Sequence, residues 1–261
     1  MKTISVVLAT YNEEKNIGRC LASVKDWCKE MIVVDGKSSD KTPEIAKRLG
    51  AQVFSVPNQV NFHLNKQIAI DKAKGDWILQ LDADEVVSME LKKEIIETIN
   101  HQPQTTNHKP IDGYWLPREN YFLGKWLSKG GQYPDFTLRF YKKGKGKLPC
   151  KSVHEQAVVN GEVGYLKESL LHFPYPDFGH YLEHFEKYTS ILAEEISREK
   201  NSKGLTVAVS YLFIKPLWWF LLTFIRHKGF IDGWRGFIFS FCSSLRFSVS
   251  FIKYLKLKRL K

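Results

Sequence analysis

Cysteine is sparse in this chain of 261 residues, and the glycine motifs of two nucleotide-using enzyme classes are missing. The four cysteines, Cys20, Cys28, Cys150 and Cys242, are scattered without the spacing of a metal site. No Gly-x-Gly-x-x-Gly follows the first predicted strand, which excludes a dinucleotide-dependent oxidoreductase. Residues 9–13 read Ala-Thr-Tyr-Asn-Glu, so the glycine-rich triphosphate loop of a sugar-1-phosphate nucleotidyltransferase is also missing.

The sequence shows no signal-peptide pattern at residues 1–8, and acidic residues are rare in its C-terminal segment. Residues 1–8 read as a first strand without a signal-peptide cleavage region, so we expect a reducing, cytoplasmic setting. Residues 201–261 contain eleven Lys and Arg but one acid, Asp232. Because aromatic and aliphatic residues are dense there, the segment favours a lipid surface over nucleic acid. The alternative is that its helices pack on the rest of the protein or on a second subunit.

The first hundred residues alternate apolar runs with segments of helical periodicity. Strands are predicted at residues 4–9, 31–34, 51–56 and 77–81, and helices at 15–27, 42–49, 64–73 and 90–99. This order predicts an α/β fold with a mostly parallel sheet flanked by helices. Shorter strands and glycine turns are predicted between 113 and 172, followed by a charged amphipathic helix at 181–199.

Two carboxylates, Asp82 and Asp84, follow the fourth predicted strand with one residue between them. Alternate side chains of an extended segment point the same way, so this pair can hold a hard divalent cation. Mg²⁺ or Mn²⁺ bound there would neutralise charge on a departing nucleoside diphosphate. The alternative is that the acidic run caps the helix that begins near Ser88.

Polar residues also end the first and second predicted strands. Residues 10–13 follow the first strand, and Asp35 follows the second. Ligands of open α/β sheets bind outside the carboxyl ends of the strands, so we expect these ends to line one crevice. Asp35 can accept hydrogen bonds from a pyrimidine or a ribose, or it can form a turn before Gly36.

Three segments in this order resemble the nucleotide-binding half of glycosyltransferase family 2, which has the GT-A fold. They are SVVLATYNEE at 5–14, IVVDGKSSDKT at 32–42 and GDWILQLDADE at 75–85. The similarity spans roughly residues 1–175 for the broad family. Through Gly-Trp-Arg-Gly-Phe at 233–237 it extends to the C-terminus and resembles the lipopolysaccharide core β-1,4-glucosyltransferases.

The resemblance implies a site for a UDP-sugar. The residues implied to bind it are Thr10, Tyr11, Asn12, Glu13, Asp35, Lys66, Asp82, Ala83 and Asp84. Enzymes of this fold often use a late histidine as a metal ligand, and His172 fits that role beside Asp84. Asp82 and His154 are secondary candidates for the metal. A histidine after an apolar run is equally typical of a structural residue.

An inverting transfer requires a carboxylate base, and Asp135 is the candidate. It follows Gly130 and Gly131, whose backbone can approach a sugar closely, and it precedes a strand-like segment. The family more often has Glu-Asp where this chain has Pro134-Asp135. The alternative is a Pro-Asp turn before a strand. Arg139, four residues on, could pair with phosphate or with sugar hydroxyls, or lie in solvent.

Together with the site residues, the resemblance implies an inverting, metal-dependent transfer of a hexose to a lipopolysaccharide-core or other lipid-linked glycan. Glucose from UDP-glucose is the leading donor by resemblance. We expect a GT-A domain at residues 1–200, with a nucleotide-binding half at 1–100 and an acceptor-facing half at 101–200. We expect residues 201–261 to be a helical extension that attaches peripherally or monotopically to the cytoplasmic face of the inner membrane, because a mid-span Lys215 disfavours a spanning helix. The alternative function is a non-catalytic, membrane-associated nucleotide-sugar-binding or scaffold protein.

Overall fold

The computed structural model describes residues 2–59, 61–101, 109–151, 155–198 and 204–259. Its strands are β1 (Ile4–Thr10), β2 (Glu30–Asp35), β3 (Gln52–Ser55), β4 (Trp77–Gln80), β5 (Glu85–Val87), β6 (Ile111–Phe122), β7 (Lys125–Trp126), β8 (Asp135–Lys142), β9 (Gly146–Lys147), β10 (Val158–Val159), β11 (Glu162–Tyr165) and β12 (Leu170–Tyr175). Its first helices are α1 (Ile17–Ala22), α2 (Thr42–Arg48), α3 (His63–Lys72), α4 (Met89–His101) and α5 (Phe178–Arg198). A helical segment, Leu205–Arg226, a 3-10 turn, Gly229–Asp232, and a final helix, Trp234–Arg259, complete the described chain.

The chain forms two compact units, each discontinuous in sequence. The first comprises Met1–Arg118 and Asp135–His172, and the second comprises Glu119–Pro134 and Phe173–Lys261. The predicted boundary near residue 200 stays a prediction.

One main sheet has the strand order β3-β2-β1-β4-β8-β6-β12-β5. The β1, β2, β3 and β4 strands run parallel, as the alternation of strands and helices predicts. Strand β8 then pairs antiparallel with both β4 and β6, which makes the sheet mixed. Because β1 lies between β2 and β4, the carboxyl ends of these three strands are neighbours, as expected for a ligand crevice.

The central strands are buried on both faces, which explains their continuous apolar runs. Alternate residues of β1 enter different cores: Val6 and Leu8 belong to one and Val7 to the other. Parallel strands covered by helices on both sides have this pattern because neither face contacts water. The strands predicted from these runs are therefore confirmed to within one or two residues.

Helix α1 is shorter than predicted, ending at Ala22 rather than near Trp27. The Ser23 hydroxyl donates to the Cys20 carbonyl, and the Trp27 indole donates to the Ser23 carbonyl. These side chains occupy carbonyls at the end of the helix, and the chain continues in turns.

The second unit consists mainly of helices with a β-ribbon. Strand β7 pairs with the end of β6. Helix α5 packs on the final helix through Ala193, Ile196, Phe251 and Tyr254. In the described residues, one helix, Leu205–Arg226, is long and apolar enough to cross a membrane.

Candidate functional site

The ends of β1 and β2 are joined by a dense set of hydrogen bonds. Asp35 is buried and accepts from the Ser38 amide at 2.9 Å and from the Ser38 hydroxyl at 2.5 Å. The Thr10 hydroxyl lies 3.4 Å from the same carboxylate. Asp35 therefore orders the turn that follows β2, and this turn-forming role is compatible with a role in nucleotide binding.

Residues 11–13 are held against the loop after β2 by their backbone amides. Asn12, whose φ is +56°, donates its amide to the Ser38 hydroxyl at 2.8 Å. The Glu13 amide donates to the Thr42 hydroxyl at 2.7 Å. Tyr11, the preceding residue, is 48% exposed, and an exposed aromatic side chain offers a surface on which a flat base can stack.

The carboxylates after β4 have separate partners. Because β4 ends at Gln80, strand alternation does not extend to residues 82–84, which corrects the expectation that both carboxylates point the same way from a strand. Asp82 forms ion pairs with Lys66 and with Arg139, the latter at 2.5 Å. Asp84 instead lies 3.3 Å from Nε2 of His172.

Burial and charge act in opposite directions on this acidic pair. Burial alone would raise the pKa of Asp82, but the charges of Arg139 and Lys66 hold it well below its usual range. Burial also opposes ionisation of Asp84, whose pKa is nevertheless lowered by the hydrogen bond to His172. Both groups are therefore carboxylates at neutral pH.

Glu13 contributes a third acid on this side of the sheet. Burial raises its pKa, and the negative charges of Asp84 and Asp82 raise it further, against a hydrogen bond from Asn16 that lowers it. Mutual repulsion among these carboxylates favours the arrival of a cation.

Asp135 is the first residue of β8 and lies opposite Arg118 of β6. Arg118 donates to Oδ2 of Asp135 from Nε at 3.1 Å and from Nη2 at 2.6 Å. Its Nη1 reaches Oε1 of Glu85 at 3.3 Å. The Asp135 side chain remains 36% exposed, so its carboxylate is oriented by a guanidinium and still accessible.

Glu85 and Arg118 are site residues that sequence reasoning missed. Glu85 is 0% exposed, and it pairs with both Arg118 and Arg139. Its Oε2 also accepts the amide of Asp82 at 2.8 Å. The position of Glu85 directly after Asp84 was a signal that the sequence offered. The sequence offers no such signal for Arg118, because the role of Arg118 depends on the register of β6 and β8.

Lys66, which the resemblance implies binds the UDP-sugar, is buried on α3 and pairs with Asp82. Burial lowers its pKa, while Asp82 opposes that shift. His154 lies outside the described residues. Arg139, which the sequence left open between a site role and solvent, is buried in the ion-pair network.

The side chains at this edge of the sheet can be compared with the ligands that a divalent cation requires. Within residues 2–59, 61–101, 109–151, 155–198 and 204–259, no group of three or more His, Cys, Asp and Glu is arranged to hold a metal. Asp84 and His172 form a two-residue set. Mg²⁺ is commonly bound by one or two carboxylates together with substrate phosphates, so Asp84 can supply the carboxylate for a cation that arrives with a nucleotide.

The sequence matches the profile described as Glycosyl transferase family 2 over residues 5–155. An uncharacterized glycosyltransferase of Rickettsia typhi is 29% identical over 266 residues, covering 100% of this chain and 87% of that protein. The lipopolysaccharide core biosynthesis glycosyltransferase LpsC of Rhizobium meliloti is 24% identical over 256 residues, covering 93% and 91%. The structure of S. aureus TarS 1–349 with UDP-GlcNAc aligns with a TM-score of 0.50 and 18% identity, covering 97% of this chain and 88% of that one. The predicted GT-A-type fold is confirmed.

Proposed function

Because this chain belongs to glycosyl transferase family 2, we propose that it transfers a hexose from a UDP-sugar, with glucose the first candidate, to a lipid-linked glycan. The observation that supports this most directly is the acidic end of β4 beside the polar ends of β1 and β2. Asp82 and Asp84 lie there with Thr10 and Asp35 on the adjoining strands. A nucleotide-sugar requires such an edge, with polar groups for the nucleoside and a site for diphosphate charge.

We propose that transfer inverts the anomeric carbon in one displacement and gives a β-linkage. Asp135 takes the proton of the acceptor hydroxyl while that oxygen forms a bond to the anomeric carbon. The bond from the anomeric carbon to the phosphate oxygen breaks, and UDP departs with the electron pair. The exposed, Arg118-oriented carboxylate of Asp135 supports this role, because a general base must reach its substrate in a fixed orientation.

A divalent cation, Mg²⁺ or Mn²⁺, would supply Lewis-acid stabilisation of the leaving diphosphate when bound. Asp84 and His172 would hold it. Asp82 is the weaker ligand candidate, since Lys66 and Arg139 already engage its two oxygens. The side chains of Lys66 and Arg139 instead provide fixed positive charge beside the acidic turn.

We propose that the acceptor is a lipopolysaccharide core or another lipid-linked glycan at the cytoplasmic face of the inner membrane. The name of the LpsC relative supports the first choice. Large apolar side chains of the Leu205–Arg226 segment are exposed, including Phe213 at 67% and Trp218 at 61%. Lys215 lies among them, and a mid-span lysine costs about 2.5 to 3.5 kcal/mol, so peripheral or monotopic attachment is favoured over spanning.

The test is release of UDP by the purified full-length chain from a panel of UDP-hexoses. A sugar-nucleotide complex is known for TarS, which shares the fold, so UDP-sugars are the first donors to test. A lipopolysaccharide-core oligosaccharide serves as acceptor, with Mn²⁺, Mg²⁺ or EDTA. Release that depends on acceptor and prefers one sugar would establish the reaction. Absence of both release and UDP binding would favour the non-catalytic alternative.

The metal is tested by Asp84→Asn with Asp71→Asn, an exposed surface position, as the matched control. Asp84→Asn should lower metal-stimulated transfer at least about tenfold, because an amide is a poor ligand for a hard cation. By calorimetry, Mn²⁺ should strengthen UDP binding to the control and not to Asp84→Asn. Equal strengthening in both variants would remove Asp84 from the metal site.

A further inference from the structure

The one acid of the basic C-terminal quarter is buried and fully engaged. Asp232 ends the 3-10 turn and is 4% exposed. Its Oδ1 accepts from the Ser128 amide at 3.1 Å and the Ser128 hydroxyl at 3.0 Å, and its Oδ2 accepts from the Lys129 amide at 2.9 Å. A carboxylate placed only to balance nearby Lys and Arg would lie in solvent. This one instead satisfies backbone donors 103 and 104 residues away.

The loop that receives these bonds, residues 128–132, is held along its length. The Gly130 amide donates to the His227 carbonyl at 2.9 Å. Gly130 and Gly131 have φ of +67° and +77°, the left-handed region that favours glycine. The Gln132 carbonyl accepts from the Asn120 side chain at 3.1 Å. Most of these partners belong to the turn that follows the Leu205–Arg226 segment.

That turn is itself closely packed and leaves little room for movement. A Cβ added at Gly236 would lie 1.9 Å from the carbonyl oxygen of Gly229, and a Cβ at Gly229 would lie 2.9 Å from the carbonyl oxygen of Thr223. Both positions therefore require glycine. Arg235, at the start of the final helix, donates from Nε to the Leu123 carbonyl at 3.0 Å, which fixes the β-ribbon as well.

We propose that Asp232 is a positioning residue for transfer, because it fixes the loop that leads directly into the Asp135 strand. Gln132 precedes Asp135 by three residues, so the chain passes from this loop into the first residue of β8. This inference rests on the proposed function, in which Asp135 is the base. Small displacements of a reacting group cost large factors in rate, so a loosened loop lowers turnover without lowering nucleotide affinity.

The test is Asp232→Asn in the full-length chain. Asparagine keeps one acceptor oxygen, but its amide nitrogen faces a backbone N–H that then has no acceptor. Amide hydrogen exchange of residues 128–132 should accelerate at least about tenfold, and kcat for transfer should fall by about tenfold or more. The Kd for UDP should stay within about twofold, because none of the residues proposed to bind the nucleotide lies in this loop. Asp177→Asn is the matched control, since Asp177 accepts an amide in the same unit at the start of α5.

A double-mutant cycle with Ser128→Ala separates positioning from general damage. Ser128→Ala alone should lower kcat, but by a smaller factor than Asp232→Asn does. Added to Asp232→Asn, it should lower kcat no further. Additive losses, faster exchange with unchanged kcat, or unchanged exchange would each overturn the positioning role and leave the transferase function standing. If Asp232→Asn does not fold, Ser128→Ala alone must still lower kcat with UDP affinity unchanged. Wild-type protein that transfers no sugar from any UDP-hexose would overturn the proposed function and this role together.

Discussion

At the scale of single residues, the site is a chain of alternating charges. Arg139 joins Asp82 to Glu85, and Arg118 joins Glu85 to Asp135. Glu85 is fully buried, and a buried carboxylate is tolerated only where cations and hydrogen bonds compensate its lost hydration. The network therefore links the acidic turn after β4 to the candidate base. Removing any one of its charged side chains would leave a partner charge uncompensated and destabilise the fold.

Asp135→Asn tests the base. Asparagine keeps the shape and one oxygen for Arg118 but cannot take a proton, so transfer should fall by a factor of about 10² to 10⁴. The Kd for UDP, measured by calorimetry, should be unchanged, because proton transfer is not part of nucleotide binding. Asp71→Asn, exposed on α3, serves as the control for loss of one carboxylate. Turnover within about twofold of wild type would move the base to another residue.

Sequence reasoning selected Asp82, Asp84 and Asp135, but it missed the buried Glu85 and the Arg118 that joins Glu85 to Asp135. Asp82, Asp84 and Asp135 follow or begin apolar strands, so local pattern and family resemblance both select them. The pairing of Arg118 with Glu85 spans 33 residues and joins β6 to β5, which are not neighbours in the sheet, so no local pattern encodes it. The roles assigned to these acids stay predictions. The structure shows which side chains each acid contacts.

At the scale of elements, the register of β6 and β8 creates the contact that orients the candidate base. Arg118 and Asp135 are directly opposite in this antiparallel pair. Opposite charges at such positions stabilise a sheet modestly, and here the same contact fixes the direction of a carboxylate.

Arg118→Met tests that contact, with Arg118→Lys as its companion. Methionine leaves Glu85 and Asp135 without this cation, so unfolding by urea should show a loss of about 1 to 3 kcal/mol. Lysine should recover most of this stability, but it cannot form the fork of hydrogen bonds that guanidinium gives. Transfer should therefore stay reduced by about tenfold in both variants, with the KM for UDP-sugar little changed. Full activity of Arg118→Lys would show that charge alone is sufficient.

Elements differ in how far sequence predicts them. Strands β1, β2 and β4 are predictable because both faces are buried and apolar residues are continuous. Strands β5 and β7 have three and two residues, too few for a period to emerge, and they exist because a neighbouring strand supplies hydrogen bonds. Helix α1 departs from prediction because the Ser23 hydroxyl bonds the Cys20 carbonyl and the Val24 amide bonds Leu21, only three residues back, so the continuous α-helical bonding pattern ends there.

At the scale of the whole molecule, charge and exposed apolar area are concentrated in the same part of the chain. Residues 201–261 contain eleven of the 39 Lys and Arg with one acid, and that acid is buried within the protein. The Arg246 guanidinium lies 4.1 Å from the Trp219 ring, and the Lys215 ammonium lies 3.4 Å from the Tyr211 ring. Basic residues combined with Trp, Phe and Leu are the composition expected of helices that lie at a membrane surface.

Membrane attachment predicts a defined response to lipid charge. Full-length protein should co-sediment with phosphatidylglycerol vesicles more strongly than with phosphatidylcholine vesicles, and added salt should reduce the difference, because basic residues near an anionic surface each contribute about 1 kcal/mol. Replacing Phe213 and Trp218 by alanine should weaken binding to both vesicle types by at least about tenfold, since apolar burial does not depend on lipid charge. Tyr188→Ala, which removes an aromatic ring 51% exposed on α5, should leave binding unchanged. If the protein binds neither vesicle and light scattering shows a stable dimer that the Phe213 and Trp218 changes dissociate, the exposed face is a subunit interface, and the acceptor must then be presented to the protein away from the bilayer.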